Sequence, residues 1–292
     1  MSDKPLSFQD IILNLQKFWS EHGCTILQPY DLEMGAGTFH PATALYAVSS
    51  RSDWNVAYVQ PTRRPADSRF ANHPNRTQHY YQFQVLMKPA PVDIQSTYLD
   101  SLAFIGIDSL NDIRFIEDDW KSPALGAWGL GWEIQCNGME ISQFTYMQQI
   151  AGKICSPPVL EITYGLERVA MYVQGVESFG KIVWNNAELP VLYEDIDFPA
   201  EREFSAFNVE YADVTLLKRH FQDYYDQCEL MVKAHLPIVA YDFCAKASHM
   251  FNLLDSRGAL SVIERESNLS KIKYLAKICC EGLLKKQKVE NV

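Results

Sequence analysis

The chain has 292 residues, with 26 basic and 36 acidic side chains, so its formal net charge is −10. Because 47% of the residues are hydrophobic and 12% aromatic, the chain can bury a large core, which excludes a disordered or fibrous protein. Its length predicts one large domain and a smaller one.

Two features predict a soluble, unexported protein of the cytoplasm. No apolar stretch approaches the roughly 18 residues of a membrane span, and Met1 to Lys17 carries neither a basic leader nor an apolar signal core. The seven cysteines include no Cys-x-x-Cys pair, which favours reduced thiols over disulfides or a structural zinc site.

The first predicted element is an amphipathic helix. Ser7 and Asp10 approximate a capping box, and apolar residues then recur at helical spacing from Phe8 to Trp19. Gly23 supplies a stop signal.

Short β-rich segments follow, separated by Gly, Pro, Asn and Asp. They occupy residues 25–27, 55–60, 82–87, 113–116, 132–135, 140–146 and 159–163. A helix over 92–104 interrupts them, but several strands follow one another with no crossover helix between them. We therefore expect an α+β fold with an antiparallel sheet flanked by helices.

The last third of the chain is predicted to be helical. A helix runs from Gly165 to about residue 174, and the acidic, proline-containing stretch 185–204 is interpreted as an irregular connector. Three helices are then predicted at about 209–234, 237–255 and 259–286. This divides the chain into a first domain, 1–200, and a helical C-terminal domain, 201–292.

Two nucleotide-binding signatures fail when their spacing is checked. Residues 35–40 begin like a dinucleotide fingerprint, but His40 stands at the last glycine position and no β-α-β unit surrounds it. Residues 175–182 fit a P-loop until Ile182, which lacks the hydroxyl that would bind magnesium. A surface turn is the better interpretation of the second segment.

Positive charge is concentrated in residues 60–88, which carry five basic side chains and one acid, a net +4 in a chain of −10. Two predicted strands flank a polar loop there, and long loops in compact domains are usually functional or disordered. Arginines that bind phosphate beside an aromatic ring that stacks on a base are a minimal nucleotide site. A solvated basic loop is the alternative.

Three strings in this order carry a family resemblance. Thr62-Arg63-Arg64-Pro65 with Gln78-His79-Tyr80-Tyr81-Gln82-Phe83 is similar to motif 2 of the class II aminoacyl-tRNA synthetases, Tyr164-Gly165-Leu166-Glu167-Arg168 is similar to their motif 3, and residues 139–149 resemble the matching strand of alanyl-tRNA synthetase. With residues 8–12 and 28–31, the whole chain resembles the α subunits of bacterial heterotetrameric glycyl-tRNA synthetases.

The resemblance implies a class II synthetase fold and a function. Domain 1–200 would activate glycine with ATP and Mg²⁺ to glycyl-adenylate, and a separate β subunit would join it for transfer to tRNA(Gly). The helical domain, 201–292, would dock that subunit. The alternatives are a non-catalytic paralogue that binds ATP or adenylate as a regulatory module, and a structural assembly subunit.

The resemblance also implies an ATP site. Arg63 would hold the α-phosphate and the amino-acid carboxylate, with Arg64 as the adjacent candidate, and Arg168 would hold the γ-phosphate. Phe83 would stack on adenine, and Gln82 would contact the adenine amino edge, where many relatives have glutamate. From the residues alone, Phe83 could equally be a core side chain and Arg168 a helix-flank side chain.

The remaining predicted residues concern glycine and metal. Glu161 would bind the glycine ammonium, or else pair with a structural arginine. Trp120 and Trp132 would wall the amino-acid pocket, with core packing as an equal alternative. Glu133 and Glu140 are equally ranked Mg²⁺ ligands.

Charge also bears on partners. Once the +4 of residues 60–88 is set apart from the total of −10, the rest of the chain carries −14, and the helical domain has no strong basic stripe. A tRNA-gripping surface is expected to be basic. We therefore expect most tRNA affinity in the β subunit of an α2β2 assembly, with the α subunits paired as a homodimer as the family implies.

Overall fold

The computed structural model describes residues 4–108 and 110–290, so the predicted domain ends at residues 1–3 and 291–292 lie outside the described residues. Its centre is a seven-stranded sheet in the order β1-β2-β3-β7-β6-β5-β4. The strands are β1 (Thr25–Ile26), β2 (Val56–Arg63), β3 (His79–Met87), β4 (Ile113–Ser122), β5 (Ala127–Cys136), β6 (Met139–Ile150) and β7 (Lys153–Gly165).

Strand pairing confirms the predicted antiparallel sheet with one exception. Every neighbouring pair is antiparallel except β1 and β2, which run parallel. The long segment that joins these two strands carries the chain back to the same end of the sheet, which a parallel pair requires. All seven predicted strand segments are confirmed, and most strands extend beyond the predicted bounds.

Helices cover both faces of this sheet. They are α1 (Phe8–Glu21), α2 (Pro41–Ala44), α3 (Ile94–Phe104), α4 (Leu166–Gln174), α5 (Tyr193–Ile196), α6 (Phe198–Ala206), α7 (Val214–Lys233), α8 (Pro237–Ser256) and α9 (Val262–Glu290). The predicted capping box at α1 is present, since the Ser7 side chain accepts from the Asp10 N–H and the Asp10 carboxylate accepts from the Ser7 N–H. Across the described ranges, no helix is both long and apolar enough to cross a bilayer.

The first face of the sheet, which we call the α1 face, packs against α1, α3 and α4. Its strand residues include Phe83, Phe144, Ile162 and Tyr164, all fully buried. Burial of such side chains contributes roughly 1.5–3 kcal/mol each relative to exposure.

The second face, which we call the bundle face, packs against α7, α8 and α9. Tyr58, Leu86 and Met147 of the sheet share one core with Phe251 and Leu275 of the helices. The Tyr241 hydroxyl of α8 also donates to the Phe39 carbonyl at 2.7 Å. The three C-terminal helices therefore lie directly on the sheet, and the division at residue 200 stays a prediction.

The predicted irregular connector at 185–204 is wrong in its second half, which forms α5 and α6. Pro199 is tolerated because it stands in the first turn of α6, where its missing N–H needs no partner. A π-helical turn, Phe207–Tyr211, follows α6. The next helix begins at Val214 rather than 209, because the Asp213 side chain caps it by accepting from the Leu216 N–H.

Candidate active site

A cavity of about 430 Å³ opens on the bundle face of the sheet. Side chains from four strands and α4 line it together with the loop between β2 and β3. Five predicted site residues are brought together there: Arg64, Gln82, Trp120, Glu140 and Arg168. The other five, Arg63, Phe83, Trp132, Glu133 and Glu161, are not among its lining residues.

The hairpin of β2 and β3 supplies the arginine and the aromatic ring. Arg64 follows the last residue of β2, donates from Nε to the Gly35 carbonyl at 3.0 Å, and holds its guanidinium 5.1 Å from the centre of the Tyr80 ring. Tyr80 and Gln82 stand two positions apart on β3, so their side chains share one face and both point into the cavity. The Gln82 Oε1 accepts the Gly37 N–H at 2.7 Å, which fixes the orientation of the amide.

The structure contradicts the predicted stacking role of Phe83. This ring is fully buried on the α1 face and meets Tyr164 edge to face, with 5.9 Å between ring centres. Because successive side chains of a strand point to opposite faces, Phe83 and Gln82 cannot both face one ligand.

Arg63 also lies outside the cavity. Its guanidinium stacks on the Phe204 ring of α6 at 4.0 Å. Of the two adjacent arginines, Arg64 is therefore the one placed to meet a ligand in the cavity.

The α4 helix supplies another of the cavity's three arginines, beside Arg64 and Arg76 of the β2–β3 segment. Arg168 donates from Nη1 to the Glu140 carboxylate at 2.8 Å and to the Glu140 carbonyl at 3.1 Å. About a third of the Arg168 side chain stays exposed, so it can also contact a ligand.

Glu167, the residue before Arg168, lines the cavity but is almost fully buried. Its Oε1 accepts the Tyr81 N–H at 2.7 Å and the Tyr193 hydroxyl at 2.9 Å. Burial raises the pKa of Glu167 to about 8. This carboxyl joins the strand of Tyr80 to the helix of Arg168.

Glu161 lies beneath the cavity rather than at its wall. It accepts a hydrogen bond from the Gln84 amide, whose oxygen in turn accepts the Thr163 hydroxyl at 2.8 Å. Burial raises the pKa of Glu161 to about 7, an effect that hydrogen bonding to Thr38 and Gln84 partly offsets. Thr38 and Thr163 line the cavity above it.

In the two predicted pairs, Trp120 with Trp132 and Glu133 with Glu140, only one residue of each lines the cavity. Trp120 lines the cavity, whereas Trp132 packs edge to face with Phe115 and Phe144 on the α1 face, so a pocket role for Trp132 is contradicted.

Glu140 lines the cavity, whereas Glu133 accepts from the Gln135 amide at 2.8 Å outside it. Within the described ranges, no group of three or more His, Cys, Asp or Glu side chains is arranged to hold a metal.

Several cavity residues had no predicted role: Thr38, Arg76, Tyr80, Gln143, Thr163 and Glu167. The sequence indicates one of them, Tyr80. Side chains alternate between the two faces of a strand, and Tyr80 stands two positions from Gln82, so it shares the face of Gln82. The others depend on pairings between distant segments, for example Gln143 of β6 opposite Thr163 of β7.

Comparisons with known proteins agree on one family. The sequence profile of the family described as "Glycyl-tRNA synthetase alpha subunit" matches residues 8–288. The chain is 60% identical over 280 residues to the glycine–tRNA ligase alpha subunit of Rickettsia bellii (strain OSU 85-389), covering 95% of this chain and 96% of that protein. It is 59% identical to the protein of the same name from Rickettsia akari (strain Hartford), with the same coverage.

Among solved structures, a pyrrolysyl tRNA synthetase, PylSc from Desulfitobacterium hafniense, aligns over 65% of this chain and 76% of that one. The alignment has a TM-score of 0.41 and 11% sequence identity.

Proposed function

The chain belongs to the glycyl-tRNA synthetase alpha subunit family, and on that premise we propose that its cavity is the site at which glycine reacts with ATP. As a member of this family it is a subunit of a glycine–tRNA ligase, which works with a beta subunit. The observation that carries the proposal for the cavity is the convergence of Arg64 and Arg168, from segments a hundred residues apart, on one polar cavity.

ATP would lie between these two arginines. Each guanidinium can hold phosphate oxygens through charge-assisted hydrogen bonds of roughly 1.5–3 kcal/mol. The Tyr80 ring, half-buried in the wall, offers a flat surface for adenine, with the Gln82 amide beside it. Tyr80 thus takes the stacking role expected of Phe83.

Glycine would occupy the floor formed by Thr38, Trp120 and Thr163, above Glu161. An ammonium group close to the buried Glu161 carboxylate would favour its charged form and lower its raised pKa. Because glycine has no side chain, steric exclusion by the floor is enough to reject larger amino acids, and no editing site is needed.

The reaction would proceed by attack of a glycine carboxylate oxygen on the α-phosphorus of ATP. A new O–P bond forms, the bond from the α-phosphorus to the bridging oxygen breaks, and the electron pair leaves with pyrophosphate. Arg64 and Arg168 meet the charge that develops on the phosphates and align the reactants, so no side chain forms a covalent intermediate.

The residues present fit Mg²⁺ bound together with ATP. Glu140 supplies one cavity-facing carboxylate, and Mg²⁺ commonly takes one or two carboxylates while phosphates and water complete its shell. Bound there, the ion would neutralise phosphate charge. Glu140 would hold it, and Arg168 would then be free to turn from Glu140 to phosphate.

For assembly we propose the α2β2 state, with paired alpha subunits and most tRNA affinity in the beta subunit. The net charge of −10 supports this division, since an acidic chain is a poor general RNA ligand. We also propose a cytoplasmic location. The seven cysteines, all inside the described ranges, are buried free thiols, as expected in a reducing compartment.

Glycine-dependent exchange of labelled pyrophosphate into ATP tests the proposal, with the alpha and beta subunits together. Exchange should appear with glycine and not with alanine, and Arg64→Ala should reduce it at least tenfold. Arg114→Ala, at an exposed ion pair with Asp112, is the matched control. ATP binding without exchange in the wild-type complex would contradict the catalytic assignment and favour a regulatory paralogue.

A further inference from the structure

The segment formed by α6 and the π-helical turn after it has an inverted amphipathic pattern. Its buried side consists of the polar residues Glu201, Ser205 and Asn208, each no more than 2% exposed. Helices at a protein surface ordinarily bury an apolar stripe and expose polar residues. The inversion means that a hydrophobic core does not account for the exposed aromatic residues of this segment, although Phe198 at its start packs against the core of the α1 face.

The polar side holds the loop that closes the ATP cavity. Glu201 accepts the Gln78 N–H with both carboxylate oxygens at 3.1 Å, and the Ser205 hydroxyl accepts the Phe70 N–H at 3.0 Å. Asn208 donates to the Ser68 hydroxyl at 3.1 Å. The same loop contributes residues between 67 and 77 to the cavity wall, so the segment is fixed rigidly beside the site.

The outer side carries three aromatic residues, which we call the aromatic stripe. Phe204 is 38% exposed, Phe207 42% and Tyr211 75%. Their spacings of three and four residues place them on one side of a helical segment. Arg63 stacks on the first of them.

We propose that the aromatic stripe and Arg63 bind the unpaired 3′-terminal nucleotides of the acceptor RNA. Exposed aromatic rings beside an arginine form the usual platform for single-stranded nucleic acid, where bases stack on the rings and guanidinium groups contact phosphate or base faces.

The position of the stripe favours RNA over a protein partner. It begins at Arg63, the chain neighbour of Arg64 in the cavity wall, and α6 holds the loop that lines the same cavity. An RNA end bound to the stripe would therefore lie next to the cavity. This inference rests on the proposed function and specifies how its second substrate is received.

Two half-reactions separate this inference from the proposed function. In the complex with the beta subunit, Tyr211→Ala and Phe207→Ala should keep glycine-dependent pyrophosphate exchange, which uses no RNA. Both should lower kcat/KM for charging of a transcribed glycine tRNA by roughly tenfold or more. Leu13→Ala, an exposed apolar position on α1, is the matched control and should change neither.

A binding cycle tests which part of the RNA is held. The wild-type complex should bind the full transcript more tightly than one lacking its last three nucleotides, by fluorescence anisotropy. Tyr211→Ala should bind both transcripts alike, because the contact is already lost.

Two results would overturn the inference. One is unchanged charging by the variants. The other is that the affinity lost by substituting Tyr211 and the affinity lost by truncating the RNA add up when both changes are made. Failure of the variants to assemble with the beta subunit would also overturn the inference, since the aromatic stripe would then be a contact surface for that subunit. Absence of exchange in the wild type would instead refute the proposed function.

Discussion

The carboxylate of Glu167 accepts the backbone N–H of Tyr81 at 2.7 Å, which fixes the start of α4 to the first half of the hairpin strand β3. Arg168 and Tyr80 are the chain neighbours of these two residues. One buried hydrogen bond thus sets the separation between Arg168 and the aromatic wall of the cavity.

Removing this carboxylate should cost both stability and alignment. Glu167→Ala leaves the Tyr81 N–H and the Tyr193 hydroxyl without their acceptor, and each buried unpaired group costs about 1–3 kcal/mol. Glu167→Gln keeps an acceptor oxygen at the same place and should lose much less. Urea unfolding of both variants measures the difference. Equal stabilities would show that the two donors find other partners.

The same residue should make stability depend on pH. The pKa of Glu167 rises from 4.5 in the unfolded chain to about 8 in the folded one, because burial penalises the carboxylate. Its contribution to stability is therefore complete below pH 4.5 and is lost as pH rises toward 8. Glu167→Gln removes this titration, so unfolding free energies between pH 5 and 8 should vary less than in the wild type, by at least about 1 kcal/mol.

Tyr80 and its phenylalanine variant distinguish stacking from hydrogen bonding. Tyr80→Ala should raise KM for ATP about tenfold, since stacking on a base contributes roughly 1–3 kcal/mol. Tyr80→Phe should match the wild type because the Tyr80 hydroxyl is buried and has no hydrogen-bond partner in the described part of the chain. Initial rates of pyrophosphate exchange over a range of ATP concentrations give both values. A defect in Tyr80→Phe as large as that in Tyr80→Ala would assign the role to the hydroxyl.

Glu140 and Glu133 form a matched pair for the metal. Glu140→Gln keeps an oxygen for Arg168 but weakens a hard-cation ligand, so the Mg²⁺ concentration for half-maximal exchange should rise about tenfold. Glu133→Gln should leave it unchanged because Glu133 lies outside the cavity. A magnesium titration at saturating ATP decides between them, and equal shifts would refute the placement of the ion at Glu140.

A glycine of β5 allows a close approach between β5 and β6. A Cβ at Gly131 would stand 1.9 Å from the Phe144 carbonyl oxygen, whereas a Cβ at Gly165 would stand 3.6 Å from its nearest neighbour, the Ile141 carbonyl oxygen. Gly131→Ala should destabilise the protein by about 3 kcal/mol or more, and Gly165→Ala by less than about 1 kcal/mol. Thermal or urea unfolding measures both, and similar losses would mean that β5 can shift away from β6.

Most of the fold was predictable because its elements bury regular apolar patterns. Turn-forming residues separate the seven strand segments along the chain. The helices α1 and α4 carry apolar residues at helical spacing, and residues that favour a helix end mark their limits. The segment containing α6 was missed for a physical reason. Its buried side is polar and its aromatic side is exposed, so the apolar periodicity that marks a surface helix is absent.

The site was predictable by motif and less so by side-chain direction. Both segments picked out by the resemblance, the hairpin and the start of α4, line the cavity, but the resemblance places both Gln82 and its chain neighbour Phe83 there, and only Gln82 lines it. In a strand, adjacent residues belong to opposite faces. The two-residue period of β3 therefore places Tyr80 with Gln82 and excludes Phe83 from their face.

The core shared between the bundle and the sheet limits how the chain can be divided. Tyr241 and Phe251 of α8 complete the packing around Tyr58 and Met147, so a fragment ending near residue 200 would present much of the bundle face of its sheet to water. If the C-terminal helices of one relative were joined to the sheet of another, the two contact surfaces would come from different proteins and would not be matched to each other. Substitutions at these positions should therefore have accumulated in compensating pairs, one in the sheet and one in the bundle.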